Sequence, residues 1–274
     1  MSFTLQEKAK RFRALHSSAQ PLLMPNPWDA GSAQLLAGLG FAALATSSLA
    51  CAVMLGRRDH GITRVEAIEH AREIVDATDL PVSADLEKGF GETPAEVAET
   101  MRLAASVGLV GASIEDSTGD GARPLLEISA AVERVSAAAE AVRALPFSFV
   151  LTARAENFFA GKPDLDDTIR RLQAYERAGA DVLFAPGLPS LDAVRAVCAA
   201  VAKPVSFMCG LPGKTFSIAD LATAGVRRIS LGPSLHRAAL AGLIGAAREI
   251  RERGTFGYVD RLPPGPDIYR LMGL

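Results

Sequence analysis

Two carboxylates, Asp85 and Glu87, stand two residues apart in the run Ser83-Ala-Asp-Leu-Glu-Lys-Gly-Phe-Gly91. They follow a short apolar stretch that begins at Pro81. If that stretch is a β-strand, positions 85 and 87 share one side of it, because strand side chains alternate with a period of two. Neighbouring carboxylates repel. A divalent cation, or a raised pKa on one of them, relieves the repulsion. The pair therefore marks the start of an expected active site.

Further polar residues follow other apolar runs. Thr46-Ser47-Ser48 closes the second run, and Asp59 and His60 lie in the loop beyond it. Glu115 and Asp116 close the fourth, and Arg154, Glu156 and Asn157 follow the fifth. His236 comes just after the eighth. The acids would offer oxygen ligands, which suit Mg²⁺ or Mn²⁺ better than zinc. One arginine among acids suits a bidentate clamp on a substrate carboxylate or phosphonate, and the plainer alternative is an ion pair from Arg154 to Glu156.

Eight short apolar runs must position these groups: Leu22–Met24, Ala42–Ala45, Val82–Asp85, Val110–Glu115, Phe147–Ala153, Asp181–Ala185, Val205–Met208 and Arg228–Leu231. Each has the length of a strand. The odd runs follow Pro21, Pro81, Pro146 and Pro204, and the even runs follow Gly40, Gly108, Gly179 and Gly225. Proline suits a strand's first residue, and glycine suits the left-handed position that closes a helix. Thr63-Arg-Val-Glu66, Thr93-Pro-Ala-Glu96 and, more loosely, Ser217-Ile-Ala-Asp220 read as capping boxes. After Thr63, the residues Val65, Ile68, Ala71 and Val75 recur at helical spacing and are expected to face a core. Eight strand–helix units predict an α/β fold, a (β/α)8 TIM barrel, with its active site at the strands' C-terminal ends.

The 274 residues suit one such domain, with the barrel over about 21–252 and an irregular extension over 253–274 that could wrap a neighbouring subunit. Hydrophobic content of 49% with 22% charged residues describes a soluble chain with a sizeable core. A formal net charge of −2 without a basic run makes nucleic acid and anionic membrane poor partners. No apolar stretch reaches the roughly 18 residues of a membrane span. Three cysteines without metal-site or disulfide spacing fit a reducing, cytoplasmic setting. Gly210-Leu-Pro-Gly-Lys-Thr215 lacks the first glycine of a phosphate loop, so nucleotide binding is not expected.

The segments Asn26-Pro-Trp-Asp-Ala-Gly-Ser32, Ala45-Thr-Ser-Ser-Leu49, Ser83 to Gly91, Ser113-Ile-Glu-Asp116 and Thr152-Ala-Arg-Ala-Glu-Asn157 together resemble the isocitrate lyase/phosphoenolpyruvate mutase superfamily. The resemblance runs from about Pro21 to Leu240. It implies an α/β barrel that binds Mg²⁺ and small anionic substrates, 2-oxo acids or their enols. It implies that Asp85 is the inner metal ligand, and that Asp59, Glu87 and Glu115 hold the metal largely through water. Ser47 and Ser48 would donate to the substrate carboxylate, and Arg154 would bind its anionic end. The resemblance also implies a homodimer that swaps a C-terminal helix, usually paired into a homotetramer.

One segment departs from that pattern. The superfamily's lyases carry a Lys-Lys/Arg-Cys-Gly-His loop after the fourth strand, and its mutases a loop with lysine and asparagine. Here the segment is Asp116-Ser-Thr-Gly-Asp-Gly-Ala-Arg-Pro124, with neither cysteine nor lysine. The expected function is a Mg²⁺-dependent lyase or decarboxylase on a small 2-oxo or 2-hydroxy di- or tricarboxylate, through a pyruvate enolate. The proton would come from water or from His236. A mutase or hydrolase of phosphoenolpyruvate or phosphonopyruvate is one alternative, and a non-catalytic oxyanion-binding barrel another.

Overall fold

A computed structural model describes residues 3–274. Eight parallel strands are β1 (Leu22–Met24), β2 (Leu44–Ala45), β3 (Val82–Asp85), β4 (Gly111–Glu115), β5 (Val150–Arg154), β6 (Val182–Phe184), β7 (Val205–Met208) and β8 (Arg228–Ser230). They are hydrogen-bonded in the order β1-β8-β7-β6-β5-β4-β3-β2. No ladder joins β1 to β2, but the Ala45 N–H donates to the Pro25 carbonyl at 3.0 Å and draws the barrel nearly shut. The helices between strands are α2 (Ala30–Gly38), α3 (Ser48–Met54), α4 (Arg64–Asp76), α5 (Pro94–Ser106), α6 (Ile128–Arg143), α7 (Leu165–Ala178), α8 (Leu191–Ala200) and α9 (Ile218–Thr223). Helix α1 (Leu5–Leu15) precedes the barrel, and α10 (Ser234–Arg253) and α11 (Gly265–Met272) follow it. The expected TIM barrel is the observed fold.

The local signals act as anticipated. Thr63, Thr93 and Ser217 each form a reciprocal capping box with the acid three residues on. Gly40, Gly108, Gly179 and Gly225 have φ of 87°, 89°, 107° and 100°, the left-handed region in which a side chain would strain the turn. Helix α4 rotates slightly from expectation. Its buried residues are Ala67, Ile68, Ala71 and Ile74, whereas Val65 is exposed. The segment 253–274 is not irregular: it forms a 3₁₀ turn at Gly257–Arg261 and then α11. Helix α11 docks on α2 of its own chain, where Gly38 lies against the Leu271 backbone with no room for a Cβ. Among the described residues no helix is long and apolar enough to cross a membrane.

The far end of the barrel is plugged by α1. Phe12 is fully buried against Leu22, Met24, Val110, Val150 and Val182. His16 caps the helix, stacks edge-on against Phe12, and has a buried Nε2 without a partner. Burial, aided by the positive charge of Arg228, lowers its pKa to about 4. The folded protein thus binds this proton less readily than the unfolded chain, whose histidine titrates near 6.5. The stabilisation is complete above pH 6.5 and is lost as pH falls towards 4. Its full size is roughly 3 kcal/mol. Urea midpoints are expected to drop over that window, and more steeply than in His16→Gln. Parallel pH profiles for the two proteins would contradict this.

Candidate active site

Strand register builds the site. Ser113 lies beside Asp85, and Glu115 beside Arg154, so β3, β4 and β5 end in Asp85, Glu115 and Arg154 at one rim. Arg154 Nη1 meets Asp85 Oδ1 at 3.0 Å, Nη2 meets Glu115 Oε2 at 3.3 Å, and Nε meets Glu156 Oε1 at 2.8 Å. The guanidinium lies over the Phe184 ring, 5.1 Å from its centroid. Burial opposes its charge, but Glu156, Glu115 and Asp85 outweigh that and hold it protonated. Burial pushes the Glu115 and Glu156 carboxyls upward against the pull of Arg154. With three acids facing one cation, burial favours the neutral form of the two glutamates while the guanidinium favours the charged one. Both earlier readings of Arg154 meet here: it is at the site and it pairs with Glu156.

Asp85 is held from several sides. Its backbone N–H donates to Thr46 Oγ1 at 3.0 Å. Its Oδ2 accepts from the Ser48 hydroxyl at 3.1 Å, and its Oδ1 from Ser113 at 3.4 Å. Ser47 caps α3, its Oγ accepting the Ala50 N–H, so its own hydroxyl proton still has a donor role. Ser48, expected to serve a substrate carboxylate, is turned towards Asp85 instead. Both serines line the cleft.

Glu87 corrects the simplest sequence argument. Strand β3 ends at Asp85, and Glu87 sits beyond it with φ of 48°, so period-two alternation does not relate the two. Glu87 is buried behind His60, with Oε2 3.4 Å from His60 Nδ1. His60 also has positive φ, 61°, so the two touching residues both occupy a backbone region that side chains seldom adopt. The hydrogen bond to Glu87 raises the His60 pKa to about 9 in spite of burial, helped by Asp59 and Glu115. Asp59 is exposed at the mouth of the cleft.

The donor set suits a hard cation. All four carboxylates offer oxygen, and Glu87 Oε1 is buried without any hydrogen-bond partner. Among the described residues, no three His, Cys, Asp or Glu side chains converge as a ready-made cage. Asp85, Glu115 and Asp59 line the cleft, and such an oxygen set fits Mg²⁺, which keeps several waters and takes only one or two direct carboxylates. Asp85 would be the direct ligand, with Glu115, Glu87 and Asp59 further out.

His236 is not brought to the cleft. It is buried against Trp28, ring centroids 5.2 Å apart, and does not line the cavity. Burial lowers its pKa. It sits in the first turn of α10 as a packing residue.

Asp116 does not face the cavity either, but it fixes two elements that do. Its Oδ1 accepts the Glu156 N–H at 2.9 Å, and its Oδ2 accepts from Arg171 at 3.0 Å and from the Tyr175 hydroxyl at 2.6 Å. Arg171 also donates to the Leu126 carbonyl. The loop from Asp116 to Leu126 is closed by the Ser117–Leu125 bridge and bends over the cleft through Ser117, Gly119, Asp120, Gly121 and Pro124. The short segment without cysteine or lysine is thus a pinned hairpin. The cleft beneath encloses about 520 Å³. Its floor includes Arg228, which sequence reading passed over as a strand residue; a charge inside an otherwise apolar run was the available signal.

Comparison with known proteins places the chain among relatives. The model of the family "phosphoenolpyruvate phosphomutase" matches residues 12–251. The 2-methylisocitrate lyase of Escherichia coli is 32% identical over 74% of this chain and 70% of its own. A crystal structure from Burkholderia cenocepacia, of a protein provisionally described as a lyase/mutase, is 50% identical with a TM-score of 0.96, covering 98% of this chain and 97% of that one. A phosphonopyruvate hydrolase solved with oxalate and Mg²⁺ is 25% identical with a TM-score of 0.85, covering 97% and 95%.

Proposed function

Because this chain belongs to the isocitrate lyase/phosphoenolpyruvate mutase superfamily, we propose that it is a Mg²⁺-dependent carbon–carbon lyase of decarboxylase type. Its substrate would be a small 2-oxo or 2-hydroxy di- or tricarboxylate, and its intermediate a pyruvate enolate. The observation that carries this reading is the array of Asp85, Glu115 and Glu156 around Arg154 at one barrel rim, opening into the cleft. Mg²⁺ bound there would polarise the 2-oxo group and offset the negative charge that develops on it.

The chain's own groups supply the rest. Arg154, locked by three carboxylates and backed by Phe184, presents a fixed positive charge that needs no reorganisation as the enolate forms. The Ser47 hydroxyl lines the cleft and would orient the 2-oxo acid head. The hairpin at 117–125 shields the site from water. Loss of CO₂ leaves the bonding electron pair on the enolate and needs no general acid. This matches a loop without the lyase cysteine. Pyruvate release across a panel of 2-oxo and 2-hydroxy di- and tricarboxylates tests the reading; no release with Mg²⁺ or Mn²⁺ from any of them would overturn it.

The same reading includes a helix-swapped dimer or tetramer. Of the 20 residues of α10 only His236 is buried, and Leu243, Ile244 and Ile250 are exposed along the helix. A stripe of that kind calls for a partner surface. Light scattering is expected to give a dimer or tetramer mass, and a monomer at micromolar concentration would remove the swap. The free cysteines suit a reducing cytoplasm.

A further inference from the structure

Buried arginines in this chain are saturated with acceptors, with one exception. Arg134, 7% exposed, donates to the carbonyls of Lys88, Gly91 and Glu92. Arg171, also 7% exposed, donates to Asp116, Asp167 and the Leu126 carbonyl. The donors of Arg154 meet three carboxylates. Arg228 is the most buried of the four, at 5%, yet its one hydrogen bond is from Nη1 to the Thr152 hydroxyl at 3.1 Å. Its Nε is buried with no partner, and among the described residues no carboxylate lies within ion-pair distance of it.

Such an isolated cation is costly to bury unless something neutralises it. A guanidinium has five N–H donors in a planar fork, and that fork matches a carboxylate. Arg228 faces the cleft, entering from β8, three strands round the barrel from Asp85 on β3. It feels the attraction of Asp85 and the repulsion of Arg154. Ser206 sits beside it in register on β7, and its buried hydroxyl also lacks a partner. Arg237, another cation of the lining, is exposed at the rim, where water screens it.

We propose that Arg228 anchors the second carboxylate of a dicarboxylate substrate at the floor of the cleft, with Ser206 as an auxiliary donor. This makes Arg228 the specificity-determining contact that separates dicarboxylates from pyruvate-sized acids. The inference rests on the lyase reading, which places the 2-oxo acid head at Asp85 and Ser47. It adds the opposite end of the substrate. Burial lowers the Arg228 pKa to about 10, so the anchor stays charged at neutral pH.

The test compares oxalate, which has the head group alone, with oxaloacetate and 2-oxoglutarate, which add a distal carboxylate at two reaches. Binding or KM is measured with Mg²⁺ for the wild type, Arg228→Met and Arg228→Lys. Arg228→Met is expected to weaken the better dicarboxylate roughly 10- to 100-fold while oxalate changes by less than about threefold. Arg228→Lys keeps the charge without the fork and should recover part of the loss. Thermal stability of Arg228→Met should hold or rise, because an unpaired buried cation has gone. Equal weakening of both ligand types, or of neither, would overturn the anchor while leaving the lyase reading intact. Dicarboxylate binding that depends on Arg228 without any oxalate binding would overturn the lyase reading and keep the anchor. Binding of neither ligand by the wild type overturns both.

Discussion

Asp85→Ala should abolish pyruvate release, with a fall on the order of 10³-fold or more in kcat. The change removes the carboxylate that the proposed function assigns to direct ligation of the cation. It also strips a partner from Arg154 Nη1 and releases the Ser48 hydroxyl. Folding should not suffer, since Asp85 is one of the charges that push Glu115 towards its protonated form, and removing it relieves crowding among the acids. Stability held with activity lost is therefore the expected pattern, read from a melting curve and a pyruvate assay on one preparation. Activity that survives with metal still bound would remove Asp85 from its assigned role.

The second large effect is expected far from the cleft surface. Asp116→Ala leaves the Tyr175 hydroxyl and the Glu156 N–H without their acceptor, and takes one of two carboxylates from Arg171. Breaking a buried ion pair from one side costs about 3–5 kcal/mol. Urea unfolding should show a loss of that size. The loss should be smaller in Asp116→Asn, which keeps an acceptor oxygen. Activity should fall in both variants, because Asp116 holds the backbone of Glu156 and the base of the hairpin that covers the site. A change under about 1 kcal/mol would mean that the Arg171–Asp167 pair and solvent suffice to anchor the loop.

Most of the barrel was legible because its punctuation is local. A glycine that must take positive φ and a threonine that must cap a helix act within a few residues, and Gly40, Gly108, Thr63 and Thr93 did so. Boundaries were less legible. Phe147 is as apolar as a strand residue but packs at the barrel's plugged end ahead of β5, which begins only at Val150. Asp85, Glu115 and Arg154 could be placed from sequence, because the C-terminal end of a barrel strand fixes where a side chain goes. Glu87 could not be placed the same way, since the chain leaves the strand at Asp85 and turns through a left-handed conformation. His236 misled because its position just past β8 resembles a catalytic one, while its packing against Trp28 depends on a residue more than two hundred positions away. The charge of Arg228 at the head of the eighth run was visible, but not its lack of partners, which depends on residues of neighbouring and opposite strands.

The central claim is that this cleft holds a 2-oxo acid head beside a cation at Asp85 and stabilises its enolate. Oxalate mimics that enolate in charge and shape, so its titration by calorimetry with and without Mg²⁺ tests the claim without knowledge of the substrate. Binding that requires Mg²⁺ and disappears in Asp85→Ala is the predicted result. Absence of oxalate binding in saturating Mg²⁺, or binding indifferent to both the metal and Asp85, would contradict it.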